Sequence, residues 1–250
     1  MHESAVSIVI PTWNEAETLP RCLALLRGQE PPWEILVVDG GSTDGTVDAA
    51  RAFPGARVIE TLRGRAHQMN HGARLARGDI FWFLHADSKP AAGSVGAIRE
   101  GLHDRRVAGG AFRFRLDGDR LGFRVMEAVV ALRTRWLRLP FGDQGLFLRR
   151  SDFEAIGGYR DVPLFEDVYL VREIRRRGWL AVLDLPLVTS ARRWEARGTA
   201  ATTFNHWRLL ALEKLGVDPE RLAHLRDGAT RRQAAARRPG GATKTGTGVG

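Results

Sequence analysis

The octapeptide Ile80 to Asp87, IFWFLHAD, constrains this chain more than any other stretch. It opens with five consecutive apolar residues and stops abruptly at His85-Ala86-Asp87. A continuous apolar run of that length reads as a strand buried on both faces, which belongs at the centre of an α/β sheet. Ligands bind outside the carboxyl ends of such strands. An Asp placed there, separated from a His by one residue, suits a metal ion or a phosphate-bearing substrate. Glu34 to Thr46, EILVVDGGSTDGT, repeats the design: an apolar strand, a terminal Asp and a Gly-rich turn.

Around these two strands the first hundred residues alternate. Strands are predicted at Val6–Ile10, Ile35–Asp39, Arg57–Glu60 and from Ile80. Between them lie helices: one capped at Thr18 with Leu19, Cys22, Leu23 and Leu26 inward, one from Thr43 or Asp44 to Phe53, and one over Gly64–Arg77. A β-α-β-α order implies a mostly parallel sheet with right-handed crossovers. After Pro90 the pattern is less regular. A helix is predicted over Ala91–Leu102. Gly110–Asp117 alternates Phe112, Phe114 and Leu116 against Arg113 and Arg115, as a half-buried antiparallel strand does. Leu121–Leu137 reads as an Arg-rich amphipathic helix, Gln144–Arg149 as a strand and Ser151–Ile156 as a short helix. Glu166–Arg177 is a helix, Leu187–Ser190 a last strand and Thr199–Leu215 a last helix. From Asp227 large apolar residues vanish, and 227–250 reads as a disordered basic tail. The expected domain is therefore 1–226, with a nucleotide-binding half to about residue 90 and an acceptor half beyond it.

The single cysteine, Cys22, excludes an internal disulfide and falls on the apolar face of its helix, as a core residue would. With no signal-like N-terminus and no apolar run near the ~20 residues of a membrane span, a cytoplasmic setting is expected. The formal net charge is +9, carried almost wholly by Arg. A positive surface favours nucleotides, nucleic acid or anionic lipid, although a solvated surface with a basic tail is the simpler account.

Six segments could carry chemistry, the last two of them lesser. Thr12, Trp13 and Glu15, in the PTWNE turn, could stack on and hydrogen-bond a nucleobase, or merely cap a helix. Asp39 could accept from a base N–H or a ribose hydroxyl, in a turn that lacks the spacing of a Walker or dinucleotide loop. His85 and Asp87 point to the same side and could converge on one ion; hard oxygen ligands suit Mg²⁺ or Mn²⁺, and imidazole tolerates Mn²⁺. Glu166 and Asp167 open a helix whose dipole favours anions, and either could act as a general base. Asp143 and Gln144, in a Gly-flanked turn, could line an acceptor pocket, and Arg192 and Arg193 before Trp194 could neutralise a diphosphate.

Taken together and in order, these segments resemble the family-2 glycosyltransferases of the GT-A fold. IVIPTWNE is similar to the family's opening strand and VVDGGSTDGT to its second, while GRAHQMNHGARLARGDIFWFLHAD resembles the approach to its D-x-D metal motif. GDQGLFLRRSDFEAIGGY with FEDVYLVREIRRRG resembles its acceptor strand and base-bearing segment. The resemblance spans Ser4 to Trp194. It implies a GT-A (Rossmann-like) mixed, mostly parallel central sheet flanked by helices in one domain. It further implies an inverting glycosyltransferase with a nucleoside diphosphate-sugar donor on Thr12, Glu15, Asp39, Arg65, His85, Arg192 and Arg193. Asp87 with His85 would hold Mg²⁺ or Mn²⁺, Asp167 would be the base with Glu166 as the alternative, and Asp143, Gln144 and Trp194 would face the acceptor. His85 stands where the family has Asp, and only Arg193-Trp194 remains of the processive Q-x-x-R-W pattern. The acceptor could be lipid-linked, with peripheral contact at the inner membrane face; no nucleic acid is expected. Two rivals remain: a nucleotidyltransferase, and a basic membrane-surface or nucleic-acid binding protein without catalysis. The second rests on the Leu121–Leu137 helix, with Val125, Met126, Val129 and Leu132 facing one way and Arg124, Arg133 and Arg135 nearby.

Overall fold

The computed structural model describes residues 4–192 and 199–226; Arg193, Trp194 and the segment 227–250 lie outside the described residues. Contacts divide the chain after Arg192. The second unit contributes the helix Thr199–Lys214 and a helical stretch at 219–226.

The first unit is built on one eight-stranded sheet, ordered β3-β2-β1-β4-β7-β6-β8-β5. Strands β1 (Val6–Thr12), β2 (Trp33–Asp39), β3 (Ala56–Glu60) and β4 (Ile80–Phe83) form a parallel block. Strand β7 (Phe147–Arg149) runs antiparallel to β4 and to β6 (Val107–Leu116). Strand β8 (Trp179–Thr189) then lies parallel to β6, and the short β5 (Ser88–Pro90) pairs antiparallel with β8 at the edge. The sheet is thus mixed and mostly parallel.

The apolar run at Ile80 acquires its reason here. Ile80, Trp82 and Leu84 join one core with Leu19, Cys22 and Leu23 of α1 (Leu19–Leu26) and Val95 and Ile98 of α4 (Ser94–Gly101), two helices that cover the same face of the sheet. Phe81 and Phe83 point the other way, where Phe153 packs within 5.3 Å of both rings and Tyr159 lies 4.8 Å from Phe83. Apolar residues are therefore required at every position, not at alternate ones. Cys22 is a core residue, its thiol pushed up by burial. Helix α2 (Thr46–Arg51) connects β2 to β3, and α3 (Arg65–Leu75) connects β3 to β4. Helix α3 presses its backbone onto the sheet. A Cβ at Gly72 would fall 2.5 Å from Val9 Cγ1 and 2.9 Å from Val38 Cγ2, so only glycine admits this approach.

Three expectations change. The alternating strand is β6 as predicted, but it has a parallel partner in β8 as well as an antiparallel one. Strand β8 begins at Trp179, eight positions before the predicted Leu187, because exposed Asp184 and Val182 and the ring of Pro186 hide its apolar pattern. In α5 (Leu121–Leu137) the buried face is Phe123, Met126, Val130, Arg133 and Thr134. Met126 and Arg133 thus face inward, while Val125 and Leu132 remain exposed. Helices α6 (Arg150–Ile156) and α7 (Glu166–Arg177) complete the unit.

Candidate active site

Parallel pairing puts the carboxyl ends of β1, β2 and β4 on one edge of the sheet, with Thr12 in register with Asp39. Both residues are 1% exposed, and their side chains bind each other. Asp39 Oδ1 accepts from Thr12 Oγ1 (3.0 Å) and Ser42 Oγ (2.5 Å), and Oδ2 accepts from the N–H groups of Gly41 (2.9 Å) and Ser42 (2.8 Å). Those four bonds use the acceptor positions of a carboxylate. Asp39 and Thr12 therefore shape the turn beneath the edge instead of presenting polar atoms above it. Gln68 completes the base of the turn by donating to the carbonyls of Thr12 and Val38, each at 2.8 Å.

The two turns after β1 and β2 interlock. Asn14 N–H donates to Ser42 Oγ (2.9 Å), Thr43 N–H to Asn14 Oδ1 (2.9 Å), Glu15 N–H to Thr46 Oγ1 (2.8 Å) and Ala16 N–H to Asp44 Oδ2 (3.1 Å). What the first turn does present is Trp13, 42% exposed, with the Arg63 guanidinium stacked 3.4 Å from its ring centroid. Arg63 was not foreseen; in an arginine-rich chain no local pattern distinguishes it. Glu15 accepts from Thr18 Oγ1 (2.6 Å) and lies 3.6 Å from Arg192, which also pairs with Glu17 at 2.9 Å. Arg192 is thereby brought to the first turn.

The second cluster gathers around the start of α7. Its cap residue Phe165 has φ 66°, a left-handed backbone that turns Glu166 and Asp167 into the site. The two acids then diverge. Glu166 is buried and accepts from Arg65 Nη1 at 3.1 Å. Burial raises its carboxyl above the ordinary range, and Arg65 opposes that rise. Half-buried Asp167 is held by backbone: Gly142 N–H donates to Oδ2 (2.7 Å) and Val168 N–H to Oδ1 (2.8 Å). His85 converges on the same point, since its Nε2 and Asp167 Oδ2 both lie 3.3 Å from where a Gly142 Cβ would sit. The histidine thus stands beside the candidate base. Arg65, expected on the donor, instead links the start of α3 to the start of α7.

Asp143 sits within this charge cluster. Its Oδ1 is shielded from solvent and has no hydrogen-bond partner among the described residues. Burial pushes its carboxyl up to about 6; Arg133 opposes the shift, while Asp167 and Asp87 add to it. Asp143 therefore feels the charges of both Asp87 and Asp167. No group of three or more His, Cys, Asp or Glu side chains among the described residues is already arranged to hold a metal. The shielded, unpartnered carboxylate oxygen near Asp87 nevertheless fits a hard divalent cation, which commonly needs only one or two carboxylates beside substrate phosphates.

Gln144 is anchored from both ends of its amide. Its Oε1 accepts from Arg133 Nη2 (2.9 Å), Thr134 Oγ1 (3.3 Å) and Phe141 N–H (3.2 Å), and its Nε2 donates to the Phe112 carbonyl (3.1 Å). It is a buried brace for the turn at 141–145. Arg133, stacked 3.5 Å from the Phe141 ring and lowered by burial to about 10, is the charged partner that sequence reasoning missed.

Residues 7–160 match the profile described as Glycosyl transferase family 2. The chain belongs to that family. A PGL/p-HBAD biosynthesis glycosyltransferase of Mycobacterium bovis is 44% identical over 88 residues, 32% of this chain and 34% of that protein. A dolichyl N-acetyl-alpha-D-glucosaminyl phosphate 3-beta-D-2,3-diacetamido-2,3-dideoxy-beta-D-glucuronosyltransferase of Methanococcus voltae is 33% identical over 95 residues, 34% of this chain and 30% of that protein. The chain spans about a third of the length of these curated relatives. Among solved structures, the mannosyltransferase PcManGT from Pyrobaculum calidifontis, in complex with GDP-Man and Mn²⁺, superposes with a TM-score of 0.65 at 21% identity. That match covers 96% of this chain and 77% of that one, and it places the chain in the GT-A fold.

Proposed function

We propose that this family-2 member transfers a sugar from a nucleoside diphosphate-sugar to an acceptor hydroxyl in one inverting displacement, with Asp167 as the base. The observation that carries the choice is the asymmetry at the start of α7. Glu166 is buried and engaged by Arg65, whereas half-buried Asp167 is fixed by the Gly142 and Val168 amides and faces the His85 side. Two backbone donors fix the orientation of Asp167. The acceptor O–H gives its proton to Asp167 as its oxygen bonds to the anomeric carbon, and the bond from that carbon to the diphosphate oxygen breaks. Asp87 and Asp143 would hold a divalent ion, Mg²⁺ or Mn²⁺, which when bound neutralises charge on the leaving diphosphate. Trp13 with Arg63, and Glu15 with Arg192, would flank the nucleotide. PcManGT's GDP-Man and Mn²⁺ support this donor class, and the dolichyl phosphate in the Methanococcus relative's name supports a lipid-linked acceptor.

The test is a thermal-shift screen of nucleoside diphosphate-sugars with Mn²⁺, followed by two variants assayed on the donor it selects. Asp167→Asn should lower turnover by about 10²- to 10⁴-fold, the usual contribution of a general base, while leaving donor binding intact. Glu166→Gln should lose less than about tenfold. Full activity in Asp167→Asn, or the reverse ranking, would remove Asp167 from this role.

A further inference from the structure

A cleft of about 550 Å³ opens between α5, β6 and β8, away from the paired turns of the donor side. Its volume is that of a small-molecule site, roughly 300–1,000 Å³. The wall is apolar, with Phe114, Val130, Leu180 and Leu183 among its residues, and the mouth carries Arg113, Arg135 and Arg138 against one acid, Asp184. Asp184 lies 3.6 Å from Arg113, and among the described residues no acid pairs with Arg135 or Arg138 at the mouth. Beside the cleft, the outer face of α5 exposes Leu121 (80%), Val125 (58%), Leu132 (59%) and Trp136 (75%).

An apolar hollow with a cationic mouth, bordered by an exposed apolar helix, fits an anionic amphiphile better than a polar sugar. Charge also argues against the chain's own C-terminal segment as the occupant, because Arg231, Arg232, Arg237, Arg238 and Lys244 would be repelled by the same mouth. The cleft shares a wall with the catalytic arrangement. Gln144 lines it and accepts from Phe141 N–H, next to the Gly142 that holds Asp167.

We infer that this cleft binds the hydrocarbon chain of a lipid phosphate, with Arg135 and Arg138 on the phosphate. Its service as the acceptor's carrier rests on the transferase reading above; the binding itself does not. The experiment is calorimetry of the full chain with dodecyl phosphate below its micellar concentration, against dodecyl maltoside and inorganic phosphate. Ala131, which lines the cleft at an exposed helix position, takes a filling substitution, Ala131→Trp, without disturbing the core. Losing contact with even two methylenes costs about tenfold in affinity. Ala131→Trp should therefore weaken dodecyl phosphate at least about tenfold, and the Arg135→Glu/Arg138→Glu pair should do the same. Circular dichroism and donor-induced thermal shifts should stay at wild-type values in both. Undiminished binding in Ala131→Trp would overturn the site. Equal affinity for dodecyl maltoside would overturn the phosphate contact, and equal affinity for inorganic phosphate would reduce the feature to an anion site. Loss of donor binding in the wild type would strike the transferase reading alone, while donor binding without alkyl phosphate binding would strike this inference alone.

Discussion

Replacing Gly142 by alanine moves Asp167 without changing its chemistry. The new methyl group falls 3.3 Å from both Asp167 Oδ2 and His85 Nε2, and 3.6 Å from Asp167 Cβ. Contacts that close are tighter than ordinary packing, so these side chains must give by a few tenths of an ångström, roughly 0.3–0.5 Å. Gly142 does not need a positive φ, so the backbone accepts alanine and stability should change by no more than about 1 kcal/mol. A displacement of about 1 Å at a reacting centre costs about 100-fold in rate; scaled logarithmically, 0.3–0.5 Å costs about 4- to 10-fold. The assay is single-turnover release of nucleoside diphosphate from saturating donor, with melting temperature and donor affinity measured in parallel. Both parallel readouts should match the wild type. A rate within twofold of wild type would show that the Gly142–Asp167 contact does not set the geometry of the base. A rate loss accompanied by an equal loss of donor affinity would place the damage on the donor side and refute the assignment of this turn.

The Asp143 carboxyl, pushed up to about 6 from 3.8, makes stability depend on pH in a definite sense. Between those values the folded chain keeps a proton that the unfolded chain has released, so stability falls as pH rises from about 4 to about 6 and is level above that. The loss is at most about 3 kcal/mol; Asp143→Asn should abolish this part of the slope in urea titrations at pH 4.5 and 7, and parallel curves for the two proteins would count against it. Gln144→Leu keeps the volume but removes the Gln144 partner of Arg133, Thr134 Oγ1 and the Phe112 carbonyl. At about 1–3 kcal/mol per buried unsatisfied group, denaturant titration should register a loss of at least about 3 kcal/mol; a loss below about 1 kcal/mol would mean that the brace is dispensable.

Periodicity made the regular elements readable. Helices α5 and α7 have the bounds their apolar spacing predicts, and the parallel block follows from apolar strands separated by helices. Strand β5 is too short and polar to announce itself, and β8 carries one exposed face and a proline. The candidate site was legible as a grouping where residues are neighbours in sequence, as at Glu166-Asp167. It was not legible where chemistry depends on contacts across the fold. Nothing local says that Arg133 turns inward to Gln144, that Arg65 meets Glu166 a hundred residues later, or that His85 comes to stand beside Asp167.

The interlocked turns after β1 and β2 also bear on how such an enzyme can be re-engineered. Asn14, Glu15 and Ala16 are tied to Ser42, Thr43, Asp44 and Thr46 by reciprocal bonds, so neither turn has an independent conformation to exchange. A chimera that borrows one of them from another member would inherit donors and acceptors without mates. The two segments form a single cassette that would have to be transplanted with both halves together.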